Sequence, residues 1–105
     1  MNRFRAGTAV DIVLEGGRIK QSFIQDYDER HVVLLQTTPP LGHDYLKKTI
    51  AVIFTTGVKK KTRYRFNARI IEFREGYVTV GRGFPAIIAE VVSDVESRDS
   101  GKTGR

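Results

Sequence analysis

The chain has 105 residues, a formal net charge of +6 and no cysteine. That length suits one domain with a single modest core; the absence of cysteine excludes disulfides, thiolate metal sites and cysteine nucleophiles, and is compatible with a reducing cytoplasm. The longest apolar runs are about five residues, far short of the roughly 20 that a spanning helix needs, and Met1 to Gly7 is polar and charged, so neither a membrane span nor a signal peptide is expected.

Met1 to Ala6 places Arg3 and Arg5 around Phe4 and reads as a loose arm, with Phe4 at the end of the core. Val10, Ile12 and Leu14 then alternate with Asp11, Val13 and Glu15, the period-two pattern of a strand with one better-buried face. Glu15-Gly16-Gly17-Arg18 interrupts it. Glycine at both central positions permits positive φ at each, so a tight hairpin is expected. Ile19 to Ile24 runs back, Asp26 to Arg30 turns, and His31 to Gln36 is a third, aliphatic strand. Such a meander must cover its apolar face, so the remainder is expected to close over it as a barrel or sandwich.

Thr37 to Asp44, TTPPLGHD, is irregular because Pro39 and Pro40 donate no ladder hydrogen bonds. His43 adjoins Asp44 there, but sequence neighbours in a loop do not fix a catalytic geometry. Tyr45 to Lys48 reads as a short turn, and Ile50 to Thr56 as a strand with Ile50, Val52 and Phe54 on one face. Thr56 to Thr62 is a hairpin loop carrying Lys59, Lys60 and Lys61. Arg63 to Arg74 is the clearest amphipathic strand, with Tyr64, Phe66, Ala68 and Ile70 on one side and Arg63, Arg65, Asn67 and Arg69 on the other. Ile71 and Phe73 fall out of phase, which a bulge near Ile70-Ile71 explains.

Glu75-Gly76 is expected to turn, Tyr77 to Val80 to form a last strand, and Gly81 to Pro85 to be irregular. From Ala86 to Glu96 the period changes. Ile87, Ile88, Val91, Val92 and Val95 recur at helical spacing behind Pro85, and a short helix is expected, although the β-branched content leaves a strand open. Residues 1–96 are read as one domain, and Ser97 to Arg105 as a disordered polar tail.

The charge is concentrated. Lys59 to Arg74 holds seven basic residues and one acid, which accounts for the whole excess. A localised basic patch points to an anionic partner. If an anionic ligand is bound, Arg63, Arg65 and Arg69 are the phosphate-facing cations and Lys59, Lys60 and Lys61 supply steering charge. No enzyme is expected. His31 and His43 lack metal-ligand spacing, Asp26, Asp28 and Glu29 read as an acidic turn, and no phosphate-binding glycine loop is present; no cofactor is expected. Nucleic acid would want aromatics on the arginines' own surface, whereas Tyr64 and Phe66 lie on the opposite face of their strand.

In order, GTAVDIVLEGG, SFIQDYDERHVVLLQTTPPLG, KKTIAVIFTTG, RYRFNARIIEF and YVTVGRGFP resemble the N-terminal, PilZ-associated domain of flagellar-brake-type proteins, over about residues 4–90. The resemblance implies a small antiparallel split β-barrel, here with a short C-terminal helix, that assists bacterial cyclic di-GMP signalling in the cytoplasm. PilZ domains bind cyclic di-GMP with an Arg-x-x-x-Arg arm before the barrel and an Asp-x-Ser-x-x-Gly segment on an early strand. Arg65 to Arg69 has the first spacing, but late and inside a strand, and the second motif is missing. The resemblance therefore implies an atypical regulatory or interaction module that works on a protein partner or an attached output domain; cyclic di-GMP itself is a possible ligand without its motif. The exit after Val95 suits a domain cut from a longer receptor. The alternative is a small barrel that binds RNA through the basic hairpin, because VDIVLEGGRIKQSFIQDYDERHVVLL is similar to the meander of Sm-like proteins.

Overall fold

The computed structural model describes residues 5–56, 61–79 and 81–99. Seven strands follow in order: β1 (Ala9–Val13), β2 (Ile19–Tyr27), β3 (His31–Leu35), β4 (Thr49–Thr56), β5 (Thr62–Thr79), β6 (Arg82–Val91) and β7 (Glu96–Asp99). A single 3-10 turn, His43–Tyr45, lies between β3 and β4. The sheet order is β4-β1-β2-β3-β6-β5-β7, every pairing is antiparallel, and β4 also pairs with β5. Six strands thus form a barrel-like ring. Its closure is only partial, since β1 and β4 share only the register Asp11–Val13 against Ala51–Ile53.

The expected meander is present. Gly16 and Gly17 both have positive φ, at 90° and 88°. The Gly17 N–H donates to the Leu14 carbonyl and the Leu14 N–H to the Arg18 carbonyl, so the tight turn spans Leu14 to Gly17 and the second glycine follows its centre. Inward residues of every ring strand meet in one core. Ile12, Ile24, Leu34, Val52, Phe66, Ile70 and Ile87 are sealed from water, and Leu41 dips back into this core from the proline-rich connection. The expected bulge is also found, since the β5–β6 register shifts between Ile70 and Glu72 and leaves Ile71 40 % exposed.

Four expectations need correction. Ala86 to Glu96 is not a helix: β6 runs to Val91, and Val92 to Val95 leads into β7. Ile87 and Ala89 point into the main core, while Ala86 and Ile88 pack with Val33, Tyr77 and Phe84 on the other face. A strand buried on both faces has no polar alternation, and its apolar run imitates helical spacing. Residues 97–99 are not tail but belong to β7, which pairs with residues 62–65 of β5; the rest of the expected tail, residues 100–105, lies outside the described residues. Glu75-Gly76 is not a turn, because β5 continues to Thr79 with a second register shift between Arg74 and Tyr77. Gly81 to Pro85 is not irregular either. Gly81 has φ 75°, β6 begins at Arg82, which pairs with Thr79, and Pro85 sits in β6 opposite the second shift, where its missing N–H removes no regular ladder bond.

Residues 73–79 and 82–85 therefore form a two-stranded arm beyond the ring. The Tyr77 hydroxyl donates to Asp26 Oδ2 at 2.7 Å, tying this arm to β2. No helix among the described residues is long and apolar enough to cross a membrane.

Candidate functional site

β5 positions the candidate cations by strand alternation. Tyr64 packs inward, its ring stacked on Phe54 at 5.2 Å between centroids, and Phe66 meets Phe54 edge-on at 6.4 Å. The alternate residues Arg63, Arg65 and Arg69 must then point out, and all three are exposed. Their circumstances differ. Arg69 Nη2 lies 3.4 Å from Glu90 Oε1, because the β5–β6 register sets those residues opposite one another. Arg63 and Arg65 have no ion-pair partner among the described residues. Lys61 is exposed just before the strand; Lys59 and Lys60 lie outside the described residues.

The ring brings residues to this pair that their spacing in the chain conceals. Arg65 is in register with Ile53 of β4 and Glu96 of β7; Ile53 is in register with Asp11 of β1, and Asp11 with Gln21 of β2. One lateral row thus runs Gln21, Asp11, Ile53, Arg65, Glu96 across the outer face. Beside it, Phe23 is in register with Ala9, and Thr55 with Arg63. A groove of about 520 Å³ runs over Phe23, Asp11, Gln21, Ile53 and Arg63. A second, of about 300 Å³, lies over Ile53, Arg63, Arg65, Glu96 and Ser97. Ile53 and Arg63 line both, so the two adjoin.

Phe23 is the residue that the sequence reading missed. It is 44 % exposed, and it places an aromatic ring on the arginines' side of the sheet. The signal was available in Ile24: if Ile24 is core, its neighbour Phe23 points outward, and Ser22 inward. Ser22 is buried, and its hydroxyl donates to the Leu35 carbonyl at 2.6 Å, which satisfies a polar group at a core position.

The other candidates separate. His43 and Asp44 are exposed, and the His43 ring meets Phe73 edge-on at 6.0 Å. His31 Nδ1 lies 3.2 Å from Asp28 Oδ1, which also accepts the N–H groups of Arg30 and His31. These backbone bonds hold the Asp28 carboxyl below its ordinary range, first through Arg30 and then through His31. Asp28 is thus the organising residue of the acidic turn. Among the described residues, no cluster of three His, Asp or Glu side chains is placed to hold a metal ion. No family model, curated protein or solved structure matches the chain.

Proposed function

We propose that the chain is an atypical PilZ-like regulatory and interaction module of bacterial cyclic di-GMP signalling, acting in the cytoplasm on a protein partner or an attached output domain. The observation that carries this reading is the pair Arg63 and Arg65: two exposed guanidiniums, two residues apart on one strand, with no ion-pair partner among the described residues. Arginines held on a sheet are pre-set for carboxylate or phosphate oxygens. The proline-rich connection after β3 and the aromatic-and-arginine strand β5 support the resemblance, since both occur in the expected order within an all-antiparallel architecture.

The module works by contact and not as a cyclic di-GMP receptor. Arg65 and Arg69 have the spacing of the family's binding arm but are fixed in a strand, and Arg69 is engaged by Glu90. The test is calorimetric titration of the chain with cyclic di-GMP at moderate salt, with Arg65→Ala alongside. No heat and no thermal shift are expected. Binding that Arg65→Ala abolishes would overturn the contact-only reading and make the chain a direct receptor.

A second reading, nucleic-acid binding, is favoured by one observation, the exposed Phe23 that lines the same outer groove as Arg63.

A further inference from the structure

We infer that the outer groove between Phe23 and Arg65 is a binding site for single-stranded nucleic acid, with one base seated against Phe23 and the flanking phosphates on Arg63 and Arg65. The inference rests on the second, nucleic-acid reading, which it deepens from the chemistry of the groove, and stands apart from the signalling role. A base needs a flat apolar wall, and Phe23 and Ile53 provide one. Its edge needs hydrogen-bonding groups, and Asp11 and Gln21 border the same groove with an acceptor and an amide. A phosphate needs a cation, and Arg63 reaches both adjoining grooves.

The cations continue along the strand. Residues i and i+2 on one face of a strand stand about 6.8 Å apart, so Arg63 and Arg65 form a short track that an extended, unstacked strand can follow, with exposed Lys61 beyond. A duplex buries its base faces and cannot use Phe23. A lone mononucleotide or a cyclic dinucleotide leaves part of the track empty. Aromatic wall, edge partners and cation track together select a flexible single strand. An acidic peptide would use the arginines but would gain little from Asp11.

The test is fluorescence anisotropy with a labelled 12-nucleotide single-stranded RNA of mixed sequence, titrated with the full chain at about 50 and 200 mM salt. Binding is expected to weaken with salt, and Phe23→Ala to weaken it about tenfold at fixed salt, as loss of one stacked base does. Arg63→Glu with Arg65→Glu is expected to abolish it. Circular dichroism checks that each variant folds. The inference is overturned if no binding occurs, or if Phe23→Ala binds as wild type while charge reversal abolishes binding. It is also overturned if a duplex of the same length binds equally or poly-glutamate displaces the RNA at equal charge; the last result would mark a docking face for acidic protein.

Discussion

Tyr77 of the β5–β6 arm donates its hydroxyl proton to the carboxylate of Asp26 on β2, at 2.7 Å. This bond joins residues 51 apart in the chain and fastens the arm to the meander. The acceptor raises the Tyr77 pKa above its ordinary value of 10.0, with desolvation second and the Asp26 charge third. Because the folded-state value is the higher one, the bond's contribution is complete below the unfolded value and is lost as pH rises through the folded one. Asp26→Ala is expected to lower the ionisation midpoint of Tyr77, read by spectrophotometric titration against the wild type. Tyr77→Phe keeps the ring against Phe84 and is expected to cost about 1 kcal/mol in urea denaturation.

Asp28 has the opposite sign. Its carboxylate accepts the Arg30 and His31 N–H groups and sits below the ordinary value of 3.8. Its contribution is therefore present above the unfolded pKa and is lost as pH falls through the folded one, from about pH 5 downward. Asp28→Ala is expected to destabilise by about 0.5–1.5 kcal/mol at neutral pH. Asp28→Asn preserves the acceptor oxygen, so it is expected to lose less and to flatten the acid limb of the stability curve.

Two phenylalanines should respond to the same change in opposite ways. Phe66 is 1 % exposed at the centre of the core, and Phe66→Ala is expected to cost about 3–5 kcal/mol. Phe23 is 44 % exposed on the outer face, and Phe23→Ala is expected to leave the denaturation midpoint almost unchanged. A large loss at Phe23 would mean that its ring is a packing residue and not part of a binding surface.

How legible each part was depended on which face of a strand it occupied. Val10, Ile12 and Leu14, and Tyr64 through Ile70, alternate because one face is core and the other wet. The meander, the amphipathic strand and its bulge could therefore be read directly. Ile87 to Val91 could not, because Ala86 and Ile88 on the second face of β6 pack with Val33, Tyr77 and Phe84 and are buried too, which removes the alternation. The same arm turned Glu75-Gly76, with the look of a turn, into an irregularity within one long strand. Of the candidate site, the arginine ladder was legible along one strand. Phe23's outward direction was legible from Ile24, but its sharing a groove with Asp11, Ile53 and Arg63 was not, because only ring pairing through β1 and β4 brings them together.

The measurement that tests the signalling account most directly is complementation of a strain lacking the coding gene, with motility and surface attachment followed as cyclic di-GMP is raised. Wild-type protein and Phe23→Ala are expected to restore the response. The Arg63→Glu, Arg65→Glu pair, present at equal level, is expected not to. A deletion strain that responds to the messenger as its parent does, or full rescue by the charge-reversed pair, would contradict the account.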